Sequence, residues 1–138
     1  MLKIHHIGYA ARALEPTLET FRRLGYEVQG PVVTDEARHV RLVFLRLGAY
    51  VVELVSPADP RSPVSDLLQK KGDGPYHICY ETTGRLEEEI DRLARDGFKV
   101  GSAAAAAPAI DGRRVAFLFG LAGGLIELVE PAAAGGQK

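Results

Sequence analysis

Tryptophan is absent from this 138-residue chain, and cysteine and methionine occur once each. A single thiol, Cys79, has no intrachain partner, so no disulfide framework staples the fold. Nor does any apolar run approach the roughly 18 residues that a membrane span needs. The opening Met1-Leu2-Lys3-Ile4 passes straight into two histidines, which is not the pattern of a signal peptide. The expected setting is reducing and cytoplasmic, with no membrane partner. Charge of one sign is lacking too: 17 Lys plus Arg face 18 Asp plus Glu, a formal net charge of -1. Without a basic footprint or a basic stripe interleaved with aromatics, nucleic acid is not an expected partner. What remains is 46% hydrophobic and 25% charged, an ordinary soluble composition. The length fits one domain, residues 1–138, able to bury roughly 70% of the surface it exposes when unfolded.

The chain repeats itself. His6-Ile7-Gly8-Tyr9 returns as His77-Ile78-Cys79-Tyr80, and Leu24-Gly25-Tyr26-Glu27-Val28 as Asp96-Gly97-Phe98-Lys99-Val100. Val43-Phe44-Leu45 returns as Ala116-Phe117-Leu118, and Val52-Glu53-Leu54-Val55-Ser56-Pro57 as Ile126-Glu127-Leu128-Val129-Glu130-Pro131. The offset drifts only from 71 residues at the histidines to 74 at the glutamates. Four phrases in one order at a nearly constant offset define a duplicated module of about 55 residues. The first module is read as 1–58 and the second as 75–131, with 132–138 as a frayed tail.

Each module reads as a strand, a helix, then two or three strands. Leu14, Leu18 and Phe21 recur at helical spacing and Leu24 extends the set; Pro16 falls in the first turn and Gly25 where a C-terminal cap belongs. Leu86, Ile90 and Leu93 repeat the pattern, with Gly97 as the stop. Segments Val40 to Leu47, Tyr50 to Val55, Val115 to Phe119 and Leu125 to Val129 are short, apolar and rich in branched residues, hence strands. Ser62 as N-cap, Pro63 in the first helical position and Gly72 past the last turn mark a linking helix over 62–72. The alanines 103–107, bounded by Pro108, are expected to form a loop or irregular edge.

Duplication singles out four polar residues. Alternate side chains in a strand share a face. Glu53 then lies between Val51 and Val55, and Glu127 between Leu125 and Val129. A carboxylate with apolar neighbours on its own face is costly to bury unpaired. Two such glutamates, placed equivalently alongside two equivalent histidines, His6 and His77, have one common solution: a divalent cation that takes all four. Two imidazoles and two carboxylates form a borderline-to-hard set suited to Co, Zn, Ni, Mn or Fe(II), with positions left for substrate. His5 points away from the His6 face, His39 has no counterpart in the second module and is expected at the surface, and Cys79 is read as packing.

With these positions in hand, the chain resembles the vicinal oxygen chelate superfamily, which includes glyoxalase I, methylmalonyl-CoA epimerase, extradiol dioxygenases and the fosfomycin and bleomycin resistance proteins. The resemblance covers residues 4–131 and is closest to the methylmalonyl-CoA epimerases. It rests on His6-Ile7-Gly8, Val51-Val52-Glu53-Leu54, Ser62-Pro63-Val64, the run from Gly72 to Ile78, and Gly123-Gly124-Leu125-Ile126-Glu127-Leu128. The chain departs from the epimerase pattern at Phe119-Gly120-Leu121-Ala122, where epimerases carry His-Pro-Lys, and in the loop from Pro108 to Arg114.

The resemblance implies an α+β, glyoxalase-like fold: two tandem βαβββ modules forming a curved eight-stranded sheet around a metal site. It implies metal ligands at His6, Glu53, His77 and Glu127, and a possible homodimer. The implied chemistry is proton abstraction beside the carbonyl of an acyl thioester, with Lewis-acid stabilisation of the enolate. Glu127 is then expected as one base and Glu36, seventeen residues before Glu53, as the other. The alternatives within the superfamily are a glyoxalase I-type lactoylglutathione lyase, an iron-dependent dioxygenase, against which the second glutamate argues, and a drug-binding resistance protein without catalysis.

Overall fold

The computed structural model describes residues 1–122 and 124–133. The chain divides into two compact units after Tyr76, and Met1–His5 joins the later one. The fold is α+β, with three α-helices and ten strands among the described residues. None of those helices is long and apolar enough to cross a membrane.

In the first unit, β1 (Leu2–Ala10) leads into α1 (Leu14–Arg23), followed by β2 (Glu27–Val28), β3 (Val33–Asp35), β4 (Val40–Leu47), β5 (Tyr50–Pro57) and α2 (Pro63–Lys71). The strands hydrogen-bond in the order β2-β4-β5-β1, with β3 also on β4. β1 and β5 run parallel, and the rest antiparallel. Helix α1 carries Leu14, Leu18 and Phe21 onto Val43, Leu45, Val52 and Leu54, with Tyr9, Tyr26 and Val28 at the margin. Each of the buried aliphatics contributes roughly 1.5–3 kcal/mol by leaving water. Leu24 departs from expectation: α1 ends at Arg23, Leu24 becomes its C-cap, and the side chain is 65% exposed. Gly25 follows at φ 105°, a turn that an L side chain resists.

Helix α2 forms where expected. Ser62 Oγ accepts from Val64 N at 3.2 Å, Pro63 occupies the first turn, and Gly72 ends the helix at φ 74°. Val64 and Leu68 are its buried residues, and the helix packs on β5.

The second unit repeats the plan with β6 (Gly74–Thr82), α3 (Leu86–Arg95), β7 (Lys99–Val100), β8 (Ala105–Ala106), β9 (Arg114–Phe119) and β10 (Leu125–Val129). Its order is β6-β10-β9-β7, with β8 also on β9, and β6 is parallel to β10. Leu86, Ile90 and Leu93 pack on Leu118, Leu128, Tyr80 and Phe98. The alanine run yields only the two-residue β8 on β9. Ten strand segments replace the expected eight because β3 and β8, three and two residues long, add short pieces beside the four ladder strands of each unit. Both are too short to show a periodicity. The expected tail falls mainly on 134–138, outside the described residues, as does Gly123.

Candidate functional site

Strand alternation leaves each sheet one face for its helix and one for the polar pair. In the first unit Gly8 lies beside Glu53 on the parallel neighbour, and Phe44 lies opposite Glu53 on the antiparallel one. His6, two residues before Gly8, shares that face. The register therefore puts His6 diagonally next to Glu53, and His6 Nε2 lies 3.2 Å from Glu53 Oε1. Phe44 sets its ring edge-on to His6 at 5.2 Å.

The second unit builds the same arrangement. Cys79 lies beside Glu127, and Phe117 opposite it. His77 Nε2 lies 3.1 Å from Glu127 Oε1, and the Phe117 ring stands edge-on to His77 at 5.4 Å. All four polar residues are buried: His6 is 1% exposed, His77 4%, Glu127 6% and Glu53 8%.

The spacing of each pair matches the edge of a coordination shell. Two donors bound at about 2.1 Å to one ion stand roughly 3.0 Å apart at right angles and 3.4 Å apart at the tetrahedral angle. The observed 3.2 and 3.1 Å lie between these limits. Imidazole Nε2 and carboxylate oxygen, buried among aromatic and aliphatic side chains, therefore fit a divalent ion of the borderline class.

Cys79 is fully buried, as packing requires. His39 is not a free surface residue: it is half-buried at φ 58°, with Nδ1 3.0 Å from Asp59 Oδ2. Asp59 is held down to about 2, chiefly by the Arg61 guanidinium and backbone N–H, with His39 adding to the pull.

Glu36 belongs to neither imidazole–carboxylate pair. Glu36 sits exposed in the turn between β3 and β4, where Asp35 pairs with Val40 and its carboxylate holds Arg38 at 2.8 Å. Val40 stands four residues from Phe44, the partner of Glu53, a separation of roughly 13 Å along the strand. The β3–β4 turn places Glu36 just before the Val40 end of the β4–β5 ladder. The side chain two residues before Phe44 on the same face is Leu42, which is buried.

The sequence reading did not assign the two phenylalanines to the site. Their signal lay in the repeat itself, which matches Phe44 with Phe117 as it matches Glu53 with Glu127.

Comparison with known proteins agrees with this plan. The model of the Glyoxalase/Bleomycin resistance protein/Dioxygenase superfamily matches residues 5–117. Mitochondrial methylmalonyl-CoA epimerase of Bos taurus is 31% identical over 108 residues, 72% of this chain and 61% of that protein. The chain thus spans about three fifths of the length of that relative. The uncharacterized protein YqjC of Bacillus subtilis is 28% identical over 95% of this chain and 94% of its own. A variant of Streptomyces coelicolor methylmalonyl-CoA epimerase, solved in complex with 2-nitronate-propionyl-CoA, superposes with a TM-score of 0.83 at 30% identity, covering 95% of this chain and 98% of that one.

Proposed function

The chain belongs to the Glyoxalase/Bleomycin resistance protein/Dioxygenase superfamily, and from that premise we propose a metal-dependent isomerase of the epimerase type that removes a proton alpha to the carbonyl of an acyl thioester. His6, Glu53, His77 and Glu127 together hold one divalent ion, of the class Co, Zn, Ni, Mn or Fe(II). The observation that carries this reading is the pair of matched, buried imidazole–carboxylate contacts at 3.2 and 3.1 Å, built on identical strand registers. Structural zinc sites are closed and usually include cysteine, whereas two imidazoles with two carboxylates suit a Lewis acid that keeps a position for substrate. Likeness to the bovine epimerase and to the Streptomyces coelicolor complex supports the thioester as substrate class.

When bound, the ion supplies Lewis-acid stabilisation of the negative charge that develops on the substrate carbonyl, worth several kcal/mol. Glu127 takes the proton. Its carboxylate stands 3.1 Å from His77 Nε2, buried, and shares its strand face with Leu125 and Val129. Phe44 and Phe117 fix the imidazole planes edge-on, so each Nε2 keeps its direction.

The place of Glu36 gives weight to a second reading. Epimerisation needs a proton donor on each side of the substrate or one group that serves both, and Glu36, the candidate for the second, sits in an exposed turn. A glyoxalase I-type lactoylglutathione lyase, moving a proton within a hemithioacetal, makes no such demand.

The test is α-proton exchange. Protein reconstituted with Co(II) is incubated with methylmalonyl-CoA in deuterated water, and deuterium incorporation is followed by mass spectrometry. Exchange that disappears in Glu127→Ala supports the epimerase reading. No exchange, with turnover of the methylglyoxal–glutathione hemithioacetal, overturns it in favour of the lyase.

A further inference from the structure

The two units keep their imidazole–carboxylate pairs alike but differ at the positions beside them. In the first unit Arg46 lies on β4 two residues beyond Phe44, on the face that carries Glu53. Its row runs Glu27, Arg46, Val51 across the strands, and the next row holds Phe44 and Glu53. Arg46 is therefore one strand and two residues from Glu53, roughly 8 Å between Cα atoms.

Gln29 orients the arginine. Its backbone N–H donates to Phe44 O at 2.8 Å, and its Oε1 accepts from Arg46 Nε at 3.3 Å. The two terminal guanidinium nitrogens have no partner among the described residues, and no ion pair joins Arg46 to Glu27 there. That leaves a planar fork of donors, exposed and held by its Nε, beside the Glu53 row.

In the second unit the equivalent positions are apolar. Phe119 replaces Arg46 and Gly101 replaces Gln29; a side chain on Gly101 would collide with the Phe119 ring, 2.7 Å away. Phe119 is 48% exposed on its own sheet's polar-pair face. An ion treats both halves alike and holds their ligands equal, whereas a substrate with one charged end and one apolar end does not.

Building on the thioester reading, we propose that Arg46 is a specificity residue that binds a carboxylate carried on the acyl group of the substrate. A guanidinium fork fits a carboxylate with two parallel hydrogen bonds. Its position one row from Glu53 suits a charged group bonded close to the reacting carbon. The phosphates of a coenzyme A carrier lie many bonds further from that carbon.

Isothermal titration of the Co(II)-loaded protein with malonyl-CoA and acetyl-CoA, which differ by one carboxylate, tests this. Arg46→Gln should weaken malonyl-CoA by about 10- to 100-fold, the range of a lost charge-assisted hydrogen bond, and acetyl-CoA less than about 2-fold. Arg46→Lys should recover part of the loss. Equal weakening of both ligands would assign Arg46 to the coenzyme phosphates and overturn the proposal, as would no weakening of either. Binding needs no turnover, so a missing α-exchange with an intact, Arg46-dependent preference would remove the chemistry and leave this assignment standing.

Discussion

Replacing Glu127 by Gln separates a ligand from a structural partner. Gln keeps the shape and the acceptor that faces His77 Nε2 while removing a charge buried at 6% exposure. A buried carboxylate gives up hydration that its partner only partly returns. The metal-free variant should therefore unfold within about 1 kcal/mol of wild type. Unfolding a chain of 138 residues carries roughly 0.29 kcal/mol/K of entropy, so that limit is about 3 °C in Tm. Metal at a thousand times its Kd should stabilise the wild type by about 4 kcal/mol, or roughly 14 °C. A lost ligand should cost at least the ~100-fold in affinity that the partners of ligands can cost, leaving about 1.4 kcal/mol, or roughly 5 °C, at the same free metal. Thermal melts in chelator and in buffered Co(II) read both numbers. A variant that keeps the full metal shift refutes the ligand assignment. A metal-free variant that melts 10 °C or more below wild type would make Glu127 a structural ion partner.

Three further outcomes follow from the geometry. Glu36→Gln should leave Co(II) affinity within a factor of about 2, since Glu36 belongs to neither imidazole–carboxylate pair, and as the second base should lower α-exchange by about 100-fold; exchange within a factor of about 2 of wild type would remove it from that role. Glu87 is drawn from its ordinary 4.5 down to about 2 by the Arg114 guanidinium and by its own backbone N–H in the first turn of α3. Since its folded value is depressed, its contribution to stability is present above pH 4.5 and fades as pH falls toward 2; carbonyl NMR should show that low midpoint, and Arg114→Ala should raise it toward 4.5, with its own backbone N–H still holding it below that value. Ser62→Ala should lower stability by about 1 kcal/mol, or roughly 3 °C, through the loss of the α2 cap; an unchanged Tm would show that Pro63 alone sets the helix start.

The readable parts of this fold are those where physics leaves a local mark. The helices were legible because Leu14, Leu18 and Phe21, and again Leu86, Ile90 and Leu93, keep a period of 3.6, and glycines stop them. The long strands were legible from branched apolar runs. Strands β2, β3, β7 and β8 were not, since two or three residues that are defined only by pairing with β4 or β9 carry no period of their own. Leu24 misled because an apolar residue at helical spacing says nothing about whether the helix still runs. Within the site, the repeat singled out His6, Glu53, His77 and Glu127, because duplication filters accidental polar residues. Glu36, named through the family resemblance, has no counterpart in the second module to filter it, and Arg46 escaped notice because its two halves diverged.

The claim that two duplicated pairs serve a single ion is tested most directly by stoichiometry. Chelator-treated protein is titrated with Co(II), and bound metal is counted by elemental analysis in wild type, His6→Ala and His77→Ala. One ion per chain in the wild type, lost from both variants although their substitutions lie in different halves, is the predicted result. Two ions per wild-type chain, or one retained by either variant, would show that each pair binds alone and would contradict the account.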